Sequence, residues 1–133
     1  MKKTYLSFFI LISFTLYNCS KDTGPVDDNQ TTENISFAND VQPIFDQNCT
    51  TSCHPNSGNL DLTAANSYNQ LVNVNASGYS AKRVVPGDAD NSVLYKKIDG
   101  SGVYGSNMPL GGNLSAAQIN TIKQWIIEGA QNN

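Results

Sequence analysis

The chain has 133 residues, three cysteines, one histidine and two methionines, with a formal charge of −3. That length suits one ordinary domain and not two. The acidic balance excludes DNA and RNA as natural partners, because neutralising phosphates needs a basic face, and it excludes adhesion to anionic lipid by charge alone.

The N-terminal stretch reads as a targeting segment. "MKK" is a basic leader, and "TYLSFFILISFTLY" is an apolar run too short to span a bilayer comfortably. "LYNC" ends on Cys19 and resembles the lipobox of bacterial lipoproteins, although Tyr17 and Asn18 are bulkier than the usual small residues. This resemblance implies a signal peptide over 1–18, lipidation of Cys19, and export to a bacterial membrane, facing the periplasm or cell surface. Loss of the leader removes Lys2 and Lys3 and leaves 115 residues with a formal charge of −5. Outside the cytoplasm, where thiols oxidise, Cys49 and Cys53 then remain to form a disulfide or to be used covalently in another way.

Residues 19–34 are polar and turn-forming, with one aliphatic side chain, and read as a flexible tether. The folded domain is expected over 35–133. Its first helix is expected over Asn39 to Asn48, capped by Asn39 or Asp40, with Val41, Ile44 and Phe45 on one face and Pro43 near the first turn. A second is expected over Ala64 to Val72, capped by Thr63, with Tyr68, Leu71 and Val72 at helical spacing. A third, short helix is expected over Ser92 to Ile98, with Val93, Leu94 and Ile98 facing inward.

The fourth helix has the clearest signature. Ser115 and Gln118 form a capping box, Ile119, Ile122, Trp125 and Ile126 form the stripe, and Gly129 stands at the C-terminal end. Between the last two helices lies a long loop, Asp99 to Asn113, with five glycines and one proline. No run alternates as a strand should. The expected class is therefore all-α, with an apolar core thin for its length, which a buried apolar cofactor would complete.

The chemistry concentrates in "NCTTSCHPN". His54, the lone histidine, follows the Cys49/Cys53 pair directly, and Met108, the lone methionine beyond the leader, stands in the glycine-rich loop. Taken singly, a His is usually a surface or satisfied core residue and a Met a core gap-filler. A Cys49–Cys53 disulfide explains the cysteines only, and it closes too little chain to stabilise much. Structural zinc wants four N or S ligands, and the chain offers three, two of them adjacent. Covalent haem explains all four residues: thioethers from Cys49 and Cys53, His54 as proximal iron ligand, Met108 as the sixth.

With these residues in view, the chain resembles a c-type cytochrome domain of the class I kind, over about Ile35 to Gln131. The likeness extends to the helix entering the cysteine motif (Val41, Pro43, Ile44, Phe45), to "VVPGDADNSVLYKKI", to the Met108-Pro109 loop and to the closing "WIIEGA" helix. The standard motif has two residues between its cysteines; this chain has three, Thr50, Thr51 and Ser52. The resemblance implies a small helical domain wrapped around one haem c, with an exposed haem edge. The implied function is single-electron transfer to an unidentified redox partner protein, with no catalytic residues. Arg83 is a candidate contact for a haem propionate, and Pro109 for orienting Met108. Trp125 and Tyr95 are expected either on the haem or, more simply, in plain core packing. Two other functions fit parts of the pattern: a haem enzyme or ligand sensor with a displaceable Met108, and a haem-free surface module with a Cys49–Cys53 disulfide. An acidic carrier would steer toward a basic partner.

Overall fold

The computed structural model describes residues 34–51, 53–55 and 57–133. The signal-peptide segment, Cys19 and nearly all of the tether lie outside the described residues. Among the described residues there is no strand; the extended segments meet only in isolated bridges, Val72 with Val84, Asn75 with Lys82 and Val85 with Asp88. The domain is helical, as expected of an all-α chain.

The first helical segment is longer than the sequence suggests and begins earlier. Two wide turns, Phe37–Val41 and Asp46–Thr50, flank α1, Gln42–Phe45, without a break. The cap is Ser36, not Asn39 or Asp40: its Oγ accepts the Asn39 N–H at 3.2 Å, and the Asp40 carboxylate accepts the Ser36 N–H at 2.8 Å. Asp40 therefore serves the cap from inside the first turn, where an acid favours the helix dipole. Pro43 is the second residue of α1 but lies inside this continuous segment, so its missing N–H does not fall in a free first turn as expected and instead forgoes one helical backbone bond. Val41, Ile44 and Phe45 are all buried, as the spacing required.

The second helix, α2, is Ser67–Leu71, three residues shorter at its start than expected. Thr63 does not cap it with its side chain. Its carbonyl accepts the N–H groups of both Asn66 and Ser67 at 2.9 Å, and Asp61 ties the turn by accepting from Thr63 N–H and Asn66 Nδ2. The chain thus makes a tight turn before the helix starts, with the Asp side chain competing for backbone donors. The third helix, α3, is Val93–Ile98 with Ser92 at its N-terminal boundary. The fourth, α4, is Ala116–Ile127, and both reciprocal bonds of the Ser115/Gln118 capping box are present.

The packed side of the domain joins its two ends. Phe37 stacks at 5.0 Å from Trp125 and 5.3 Å from Tyr68, and Trp125 and Ile126 are essentially sealed from solvent. The polar atoms of these aromatics are satisfied by the C-terminal turn: Tyr68 Oη donates to Ala130 O and Trp125 Nε1 to Gln131 O. The backbone is tied in the same place. Ala38 N–H donates to Asn133 O, Phe37 N–H to Asn133 Oδ1, and Ile35 N–H to the Glu128 carboxylate. Trp125 is plain core; Tyr95 lies half-buried between the ammoniums of Lys96 and Lys123, 5.1 and 5.3 Å from its ring.

Candidate functional site

A second apolar surface remains open. A cleft of about 440 Å³ is walled by Leu60, Leu62, Leu71, Val93, Leu94 and Ile98. That volume lies within the ordinary range for small-molecule sites, and so does its lining, mostly aliphatic with a few polar groups. Cys49, Cys53, His54, Arg83 and Met108 all line it. Five residues drawn from positions 49 to 108 are thereby brought to one cavity. A larger but more open and more polar depression, of about 880 Å³, lies between the Asn34–Asp40 segment and the start of α4 and carries none of these residues.

The cysteine motif is delivered by the last wide turn of the first helical segment, Asp46–Thr50, which carries Cys49. Wide helical turns often occur at functional positions because they re-aim a side chain. The His54 N–H then donates to Cys49 O at 3.0 Å, and Ser57 N–H to Cys53 O at 2.8 Å, so Thr51 and Cys53–Pro55 lie in turns beyond the end of the helical segment. Both thiols are free, with Cys49 half-buried and Cys53 exposed. Burial, helped by the neighbouring Cys53, pushes the Cys49 thiol up from 9.0 to about 11. Its protonated form is favoured because the charged thiolate loses its hydration there.

His54 is oriented by a backbone group. Its Nδ1 lies 3.2 Å from Leu60 O, a group that can only accept, so Nδ1 carries a proton and donates to that carbonyl; in the neutral ring Nε2 is then the lone-pair nitrogen. A ligating histidine characteristically uses its second nitrogen in this way. The turn that leads into Leu60 is Ser57–Asn59, in which Gly58 and Asn59 both have left-handed backbone, φ 68° and 54°. Gly58 tolerates this freely; Asn is among the few other residues that do.

Met108 is set by α3. Its N–H donates to Lys97 O at 2.7 Å, and Gly100 N–H donates to Asn107 Oδ1, closing the glycine-rich loop on the end of the helix. Lys97 and Tyr79 also line the cleft, with the Lys97 ammonium 5.5 Å from the Tyr79 ring centre.

Arg83 is only 8 % exposed. Its Nη1 donates to Gln70 O at 2.9 Å and its Nη2 to Asn59 O at 2.7 Å. Among the described residues the ion pairs are those of Lys96 with Asp90 and Asp99, and Arg83 has no carboxylate partner. Three of its five N–H donors remain for other acceptors.

Sequence reasoning named Cys49, Cys53, His54, Met108 and Arg83, and the fold gathers all five at one cavity. It did not find Leu60 as the partner of His54, because that partner is a main-chain oxygen and any residue type carries one. The Gly58-Asn59 turn was the one available sign. No protein-family model, curated protein or solved structure matches the chain.

Proposed function

We propose that the domain is a monohaem c-type cytochrome that carries single electrons outside the cytoplasm, held to a membrane through lipidated Cys19. The observation that carries the reading is the meeting of both thiols, the lone imidazole and the Met108 thioether at one apolar-walled cleft. The donor set suits haem c. Cys49 and Cys53 would hold the ring by thioethers, and His54 Nε2 and Met108 Sδ would ligate the iron. When bound, haem supplies a one-electron couple, and a thioether ligand favours its ferrous state.

The chain's own residues do the rest. Leu60 O holds the His54 proton on Nδ1 and keeps Nε2 available. The aliphatic walls would shield a bound haem from water. Arg83, already inside the cleft, would meet a propionate with its remaining donors. Were His54 and Met108 both to ligate the iron, they would leave it no site for a substrate, which favours electron transfer over catalysis or ligand sensing. The partner is another redox protein.

An alkaline pyridine haemochrome spectrum of protein made with haem-maturation machinery tests the reading. A covalent haem with both thioethers is expected. Absence of covalent haem would sink the reading, and a band shifted to the single-thioether position would show that Cys49 stays unbonded. Met108→Ala should abolish the sulfur-to-iron band of the ferric protein and lower its potential; an unchanged potential would remove Met108 from the ligand set.

A further inference from the structure

Arg83 raises a question that contact with a propionate does not answer. A buried cation is costly unless charge or dense hydrogen bonding compensates it. This guanidinium spends two donors on two carbonyls from distant segments, Gln70 O in α2 and Asn59 O in the turn after the cysteine motif. Its backbone is tied at the same place: Arg83 N–H donates to Val74 O and Leu94 N–H donates to Arg83 O. Asn59 is one of only three non-glycine residues with positive φ among those described, and it directly precedes Leu60. The next carbonyl along, Leu60 O, is the one that accepts from His54 Nδ1.

We infer that Arg83 is a positioning residue for His54: it clamps the Asn59 peptide in its left-handed turn and so presents Leu60 O to the imidazole. The alternative is that Arg83 acts as a point charge toward a carboxylate. The two roles differ chemically. A lysine would keep the charge, but its single ammonium on a flexible stem cannot reproduce a planar fork that bridges two carbonyls. The clamp therefore needs the guanidinium, whereas the point charge does not. That His54 ligates iron rests on the function proposed above; that Arg83 sets its orientation does not.

The test is hydrogen exchange of the His54 Nδ1–H in the reduced, 15N-labelled protein, read against the amides of Ile122 and Ile126 in α4. Haem content is measured on the same sample. Arg83→Lys and Arg83→Met are both expected to speed ring exchange by about tenfold or more, the scale of one lost charge-assisted hydrogen bond, with the α4 amides unaffected. Lysine behaving as wild type while methionine does not would overturn the clamp in favour of the point charge. Equal acceleration in α4 would overturn it in favour of general destabilisation. If the Arg83 variants fail to accumulate, Gly58→Ala strains the same turn without touching Arg83, since φ there is 68°, and its added Cβ meets His54 Cε1 only at ordinary contact distance, 3.9 Å. It must also speed ring exchange selectively, and unchanged exchange overturns the inference. Should the wild-type protein carry no covalent haem, the proposed function falls, and ring 15N shifts still judge the clamp: Nδ1–H must dominate in wild type and lose ground in all three variants.

Discussion

Cys49 shows how one residue's surroundings set its chemistry. It sits at the end of the first helical segment with its thiol partly walled in, and burial, then the neighbouring Cys53, lift it to about 11. In the protein without haem it should be a poor nucleophile. At pH 8 its thiolate fraction is about a hundredfold below that of a thiol at the ordinary value. Iodoacetamide labelling of haem-free protein, followed by peptide mapping, should modify Cys49 correspondingly slowly in the folded state and at an ordinary rate in urea. Equal rates in the two states would refute its burial. The sign for stability follows. The folded state holds the Cys49 proton more tightly than the unfolded state does. This contribution is therefore complete below pH 9.0 and is lost as pH rises from 9.0 to about 11.

At the scale of elements, α4 and α2 contrast. The start, stripe and end of α4 were legible because each signal is local: a Ser115/Gln118 box, an apolar stripe through Ile122, Trp125 and Ile126, and Gly129 at φ 101°. Ser115→Ala removes the side-chain acceptor for Gln118 N–H at 3.2 Å. It should cost about 1 kcal/mol, read as a lower urea midpoint with unchanged slope, and leave intact the haem spectrum expected from the proposed function. A visible spectrum altered by the same amount would mean that α4 shapes the cleft directly. The start of α2 differs from the expected one because Asp61, two residues before Thr63, accepts from Thr63 N–H and from the Asn66 side chain, and holds residues 63–66 as a turn that precedes the helix. The early start at Ser36 was missed for a related reason. Its capping acid, Asp40, lies four residues on, outside the usual three-residue spacing, and the Asn133 contacts that complete the turn come from the far end of the chain.

For the whole molecule, charge is distributed so that acids serve as local braces. Hydrogen bonds from Thr63 hold the Asp61 carboxyl below its ordinary value of 3.8, and bonds from Asn91 do the same for Asp88. At Asp99 burial works the other way, and bonds from Ser101 and Lys96 outweigh it. Each carboxylate is favoured in the folded state, so its contribution is present above about pH 3.8 and is lost as pH falls through the lower folded value. Stability to urea should accordingly be flat near neutrality and decline below pH 4. Asp88→Asn should flatten the acid limb in part, and an acid limb identical to wild type would show that this brace carries no linkage.

The sequence by itself determined the helical class, the apolar faces of the helices, the capping of α4, and the short set of residues that we propose hold haem: Cys49, Cys53, His54 and Met108. These are matters of period, spacing and residue type, which are written along the chain. Only the tertiary structure decided that Met108 reaches the cavity of the cysteine motif, that Leu60 O orients His54, and that Arg83 is buried between Gln70 and Asn59. The reason is physical. These links run through backbone carbonyls and through segments brought together by packing, and a carbonyl carries no signature in the identity of its residue.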